Sequence, residues 1–187
     1  MDRIDDVISF RNSLNPESDR GCALMAAAFL DAELAFILES YVVDNEKIAK
    51  KMFGQSCPLG AFSSRIDISY LLGLIDSVTH RDLHLIRKIR NDFGHIHLPI
   101  TFDDHSVSAR CRELNQHFRE SNLGARKIFV SSAIGALVVI HTALNNKQGI
   151  SERDPIDFED AKESTNQFMG ILKAAVETSN EAPNKNI

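Results

Sequence analysis

Hydrophobic residues along this chain recur at the three- and four-residue spacing of amphipathic helices. The pattern is sharpest over residues 82–97, where one side of an ideal helix is apolar and the other is polar. The apolar positions are Leu85, Ile86, Ile89 and Phe93. This stretch therefore predicts a helix that packs one face on a core and turns Arg87, Arg90 and Asn91 outward.

The same periodicity predicts helices through most of the chain, and no stretch of any length alternates as a half-buried strand does. The predicted helices span residues 4–14, 20–43, 61–74, 82–97, 106–118, 125–145 and 158–178, with one or two turns at 45–52. Thr79 is the predicted cap of the helix at 82–97, and Asp19 that of the helix at 20–43. We expect an all-α protein, a compact bundle of five to seven helices.

The domain organisation follows from breaks in this pattern. Residues 1–19 form an N-terminal helical extension that ends near Asn15-Pro16, and residues 20–178 form a single helical domain. The last helix is expected to turn its apolar positions inward; they are Phe168, Ile171, Leu172 and Ala175. Residues 179–187 are polar and are predicted to be a disordered tail.

Two segments are apolar enough to be compared with membrane spans. Residues 21–43 carry Asp31, Glu33 and Glu39, and residues 128–144 are short and include His141. A spanning helix needs about 20 apolar residues, and carboxylates inside a bilayer are costly. We therefore predict no membrane contact, and expect both segments to be central helices of the bundle.

Composition narrows the function classes. The net charge is −5, so the chain lacks the general basic surface of a duplex DNA-binding protein, and any contact with nucleic acid must be local. The three cysteines, Cys22, Cys57 and Cys111, have no metal-binding spacing and suit reduced thiols. The acidic N-terminus, MDRIDDVISF, differs from a basic signal peptide. These features predict a cytoplasmic protein.

The candidate chemistry lies at the end of the helix over residues 82–97. Asn91 and His95 are one helical turn apart and share a face, whereas Arg90 is about 140° from His95 around the axis. Gly94 is expected to end the helix beside His95. An arginine that holds a phosphate and a histidine that exchanges protons suit phosphodiester cleavage, and a two-fold dimer would align two such sets. The alternative is a solvated helix face, which spacing alone favours.

Other histidines and arginines give weaker signals. His80 and His84 have the helical spacing of metal ligands, but no third ligand is patterned nearby, so surface histidines are the better interpretation. His141 is expected to be a hydrogen-bonded core residue. Three arginines hint weakly at a phosphate-facing surface; they are Arg110, Arg112 and Arg119. No Gly-rich phosphate loop is present, and no metal or cofactor is predicted.

Three blocks of sequence resemble the mannitol operon repressor family of bacterial regulators. They are RGCALMAAAFLDAEL, CPLGAFSSRIDISYLLGLI and DLHLIRKIRNDFGH, in that order, between residues 20 and 95. The resemblance implies an all-helical domain, often dimeric, without a recognisable helix-turn-helix.

The third block also resembles the HEPN class of helical domains, whose active members carry an arginine, a polar residue and a later histidine. Arg90, Asn91 and His95 match that motif. The resemblance implies metal-independent RNA cleavage in a dimer through the ribose 2′-hydroxyl. Arg90 would stabilise the scissile phosphate, Asn91 would position the groups, and His95 would transfer a proton or orient the hydroxyl.

Two hypotheses follow. The first is a regulatory protein that acts as a helical homodimer through a protein partner, and it is favoured because the family resemblance covers more of the chain. The alternative is a HEPN-type endoribonuclease that binds RNA at a cleft lined by Arg90 and His95. Whether the protein is an enzyme stays open at this point.

Overall fold

The computed structural model describes residues 3–54, 56–95, 99–115, 123–145, 149–155 and 158–180. Within these ranges the chain forms eight α-helices and no strand, which confirms the all-α prediction. The helices are α1 Arg3–Leu14, α2 Asp19–Tyr41, α3 Glu46–Phe53, α4 Phe62–Leu71, α5 Ser77–His95, α6 His105–Arg112, α7 Ala125–Asn145 and α8 Phe158–Asn180.

The helix number exceeds the predicted five to seven. The segment over residues 45–52, expected to form one or two turns, belongs to the full helix α3. The Asn45 side chain caps it by accepting a hydrogen bond from the Ile48 N–H at 3.1 Å.

The chain divides into two compact units, Met1–Ser151 and Glu152–Ile187. The first unit contains α1 to α7 and the hydrophobic core, which includes Phe10 and Leu14 of α1. The second contains α8, whose apolar positions were expected to point inward. Within this unit Phe168 is 61% and Ile171 68% exposed, and the inward orientation stays a prediction. The predicted domain boundaries stay a prediction, and the tail from residue 181 onward lies outside the described residues.

Helices α2 and α7 pack against each other at the centre of the first unit, and α5 packs against both. Both helices bury several small side chains, which permit helix backbones to approach closely. They are Cys22, Ala23, Ala26 and Ala27 on α2, and Ser132, Ala133 and Ala136 on α7, all buried. Both helices are long and apolar enough to cross a membrane, a property that they share with the core helices of soluble proteins. Here they are core helices, as predicted.

The start of α2 differs from the prediction in a way that matters for packing. Ser18, rather than Asp19, caps the helix by accepting a hydrogen bond from the Gly21 N–H at 3.1 Å. The Asp19 carboxylate instead accepts from the Phe102 N–H at 2.9 Å and from Arg126 of α7 at 2.5 Å. The carboxylate therefore ties α2 to two later segments.

A tight turn joins α4 to α5 as a helical hairpin. Gly73 adopts a left-handed conformation with φ of 70°, and the N–H groups of Gly73 and Leu74 donate to the carbonyls of Tyr70 and Ser69, each at 2.9 Å. This is a Schellman motif, which requires glycine at that position because other residues are strained there. The predicted helix to residue 74 therefore ends earlier, at Leu71.

Helix α5 begins at Ser77, and its cap is Asp76, which accepts from the Thr79 N–H at 2.8 Å, rather than the predicted Thr79. Its predicted apolar stripe is confirmed, since Leu85, Ile86, Ile89 and Phe93 are all buried. The Phe93 ring lies 5.0 Å from that of Phe102. This anchoring fixes which side of α5 faces outward.

Candidate functional site on helix α5

Arg90 and Asn91 lie on the outward side of α5, near its C-terminal end. The Arg90 side chain is exposed, and its Nη1 donates a hydrogen bond to Oδ1 of the half-buried Asn91 at 3.0 Å. Because the core packing of Phe93 sets the rotation of the helix, these two polar groups are held at the surface together. The structure thus brings two of the three predicted residues into contact.

His95 is the last residue of α5, so it lies one helical turn beyond Asn91. The helix includes Gly94 and so ends one residue later than predicted, while His95 lies in its last turn, as predicted. The His95 side chain lies outside the described residues, as do residues 96–98. A catalytic role for Arg90, Asn91 and His95 stays a prediction.

Three cationic residues lie close together in the sequence of α5. Arg87, Lys88 and Arg90 contribute three positive charges, while the nearby Asp92 is paired with Arg110 of α6. The Nε atom of Arg87 is buried and makes no hydrogen bond within the described part of the chain. Because this nitrogen is buried, it is not available to a ligand from solvent, and the exposed Arg90 guanidinium is the cationic group that could hold an anion at this face.

The ion pair between Arg110 and Asp92 lowers the positive charge of the predicted phosphate-facing surface on α6. Arg110 neutralises Asp92 and joins α5 to α6, so its role is structural. Arg112 is exposed, and Arg119 lies outside the described residues.

His80 and His84 lie at the surface as predicted, but a third group accompanies them. Oδ1 of Asp67 on α4 is 2.8 Å from Nε2 of His80 and 2.9 Å from Nε2 of His84. Hydrogen bonds from His80 and then His84 hold the pKa of the Asp67 carboxyl below its usual value. Sequence spacing could not reveal Asp67, because only the α4–α5 hairpin brings it opposite the two histidines.

His141 is a hydrogen-bonded core residue, as predicted. Its ring is nearly buried, and Nε2 lies 3.0 Å from Oε2 of Glu33 on α2.

The cysteines are free, with Cys22 and Cys111 buried and Cys57 half-buried. Burial raises the pKa of Cys22 to about 11 and that of Cys111 to about 12, so both thiols stay protonated near neutral pH.

A cavity of about 680 Å³ lies between α1 and α7, away from the polar face of α5. Val7, Ile8 and Val130 line it with apolar surface, and Arg11 and Arg126 add positive charge. None of the residues of α5 contributes to its lining. The cavity is therefore separate from the predicted Arg90–His95 site.

Comparison with known proteins gives a likeness to a solved structure. No protein-family model matches the sequence, and no curated protein sequence matches it. A chain in the X-ray structure of the MtlR-HPr complex from Escherichia coli superposes with a TM-score of 0.57 and 17% sequence identity. The match covers 71% of this chain and 98% of that one. At this identity the likeness shows a similar helical fold, and membership of the mannitol operon repressor family stays a prediction.

Proposed function

We propose that this protein is an intracellular regulator that acts as a helical homodimer through a protein partner, without a DNA-reading motif of its own. The observation that carries this proposal is the fold likeness to a chain from the MtlR-HPr complex, which extends over nearly all of that chain. The net charge of −5 also favours protein contacts over direct binding to duplex DNA.

Helix α8 supplies a surface suited to a protein partner. Its large apolar side chains recur at helical spacing and are exposed; they are Phe168, Met169, Ile171, Leu172 and Val176. An exposed apolar stripe on an amphipathic helix is typical of helices that dock into a groove of another protein. We therefore assign partner binding to this stripe.

The test is calorimetric titration of the full chain with HPr from the source organism. Wild-type protein is expected to bind, and Phe168→Ala with Ile171→Ala to weaken binding by about 10-fold or more, because apolar anchors dominate interface energies. Lys173→Ala, an exposed polar position on the same helix, is the matched control and should bind as wild type. Absence of binding by the wild-type protein would contradict HPr as the protein partner. Light scattering of the same samples tests whether the protein is a dimer.

A second candidate is a HEPN-type, metal-independent endoribonuclease. The favouring observation is the exposed Arg90 side chain, whose Nη1 donates a hydrogen bond to Oδ1 of Asn91 on the outward side of α5. In this function Arg90 would stabilise the charge on the phosphate while the 2′-hydroxyl attacks. Asn91 would position Arg90, and His95 would transfer a proton or orient the hydroxyl.

Labelled single-stranded RNA incubated with the protein in EDTA tests this candidate. Cleavage by the wild type that disappears in an Arg90→Ala, His95→Ala double variant would support the nuclease. Arg81→Ala removes an exposed arginine from the other end of α5 and should cleave as wild type does. RNA left intact by the wild-type protein would remove the nuclease candidate and leave the regulator.

A further inference from the structure

We propose that Asp67, His80 and His84 form a binding site for one divalent first-row transition-metal ion of the nickel or zinc type. The site lies on the α4–α5 hairpin and is independent of the regulatory and nuclease functions proposed above. It uses side chains that neither of those functions requires.

The ligand atoms already converge. Oδ1 of Asp67 lies 2.8 Å from Nε2 of His80 and 2.9 Å from Nε2 of His84, and all three ligand atoms lie within 4.8 Å of one another. Neighbouring ligands about 2.1 Å from a metal are ~3.0 Å apart in octahedral geometry and ~3.4 Å apart in tetrahedral geometry. The two distances from Asp67 are close to the octahedral value, whereas the two histidine nitrogens are known only to lie within 4.8 Å of each other. Binding of one ion would therefore need side-chain rotations that bring the histidine nitrogens to a common centre.

The donor set selects the class of ion. Two imidazoles and one carboxylate suit Ni²⁺, Zn²⁺ and related ions, whereas Mg²⁺ and Ca²⁺ prefer ligand sets made of oxygen alone. Three protein ligands leave coordination positions for water. The side chains of His80 and His84 are 27% and 22% exposed and that of Asp67 is 56% exposed, so an ion can reach them from solvent.

The surrounding structure holds the three ligands in place. His80 and His84 are one turn apart on α5, and their rings meet edge to face with centroids 4.7 Å apart. The ring of Tyr70 packs against His80 at 4.8 Å. Ser69 on α4 and Leu83 on α5 are fully buried, which fixes the two helices beside each other. The site is therefore preorganised by the hairpin rather than assembled from loops.

The experiment titrates metal-free full-length protein with Ni²⁺, and separately with Zn²⁺, by calorimetry and by thermal unfolding. We expect one ion per chain and a higher melting temperature in the presence of the ion. Asp67→Asn and His84→Ala should each weaken binding by at least about 10-fold, as loss of even a supporting group around a metal does. His105→Ala, which removes an exposed histidine of α6, should bind the ion as wild type does.

Several results would overturn the site. The wild-type protein could fail to bind either ion, or it could bind Mg²⁺ with equal affinity. The Asp67 and His84 variants could also bind with the affinity of the wild type. If Cys57→Ser lost binding while Asp67→Asn and His84→Ala bound as wild type, the ion would lie on the half-buried Cys57 thiol instead. Circular dichroism of each variant checks that the helices are intact, so a loss of binding reports on the ligands.

Discussion

Arg126 shows how much of this fold depends on single polar side chains. Its Nη2 donates to the carbonyls of Leu14 and Glu17 at 3.1 Å and 2.5 Å, and its Nη1 to the Asp19 carboxylate. These acceptors form the connection between α1 and α2. The Arg126 guanidinium therefore supplies hydrogen bonds to three partly buried oxygen atoms that water would otherwise solvate.

Replacing Arg126 by alanine should lower the free energy of unfolding by about 2–3 kcal/mol, because hydrogen bonds to a charged group are lost together. Urea denaturation measures the change. Arg81→Ala is the control, since its carboxylate partner Glu113 lies 3.9 Å away and both side chains are more than half exposed. That variant should stay within about 0.5 kcal/mol of wild type; an equal loss in both would contradict the role of Arg126.

Thiol reactivity should separate the three cysteines. Cys57 is half-buried and should be alkylated in the native protein, whereas Cys22 and Cys111 are buried thiols with raised pKa values and should react only on unfolding. Mass spectrometry after iodoacetamide treatment, with and without urea, identifies the modified residue. Rapid native labelling of Cys22 or Cys111 would show that the core opens more readily than its packing indicates.

The same two thiols should make stability depend on alkaline pH. In the unfolded chain they ionise near pH 9, but folding raises the pKa of Cys22 to about 11 and that of Cys111 to about 12. The contribution of these protonated thiols to the free energy of unfolding is therefore complete below pH 9, and it is lost as the pH rises toward 11 to 12. Denaturation between about pH 7 and pH 10.5 should show a steeper decline for wild type than for Cys22→Ala, Cys111→Ala. Equal slopes would refute this.

At the scale of elements, helix α5 shows what sequence periodicity can and cannot predict. Its apolar stripe was predictable because burial follows the helical repeat, and Ile86, Ile89 and Phe93 are fully buried. Its outward polar face followed from the same repeat. The position of Asp67 beside His80 was not predictable from the spacing of residues within α5. It depends on how the turn at Gly73 places α4 against α5.

Ile89→Ala should lower the free energy of unfolding by about 2–5 kcal/mol, since the removed atoms leave a cavity in the core. Its neighbour Lys88 is exposed, and Lys88→Ala should change stability by less than about 0.5 kcal/mol. Thermal or urea unfolding of the two variants makes the comparison. Similar losses at both positions would mean that helix propensity, rather than burial, dominates α5.

At the scale of the whole molecule, the buried core found among the described side chains belongs to one of the two units. The buried apolar residues run from Phe10 to Ile140, all within Met1–Ser151. The periodicity of α8 correctly predicted a helix, but it could not show whether the apolar stripe is covered, since a buried face and a docking face have the same pattern. Phe168 and Ile171 are exposed within their own unit, and the inward orientation expected for them stays a prediction.

A chain truncated after Ser151 should therefore fold on its own. We expect it to retain a cooperative thermal transition within a few degrees of the full chain, because its core residues are all present. Circular dichroism with temperature measures this. A non-cooperative transition in the truncated chain would show that the second unit contributes to the stability of the first.

The central pairing of α2 with α7 has a consequence for how the protein is made. Asp19 meets Arg126 across 107 residues of sequence, and Glu33 meets His141 across 108. Contacts so distant form late and slow folding relative to bundles in which successive helices pair. During synthesis, α4 and α5 can cover part of α2 early, but the part of α2 that packs on α7 stays uncovered until residues 125–145 have left the ribosome. That part of the nascent chain is open to chaperones or to aggregation until then.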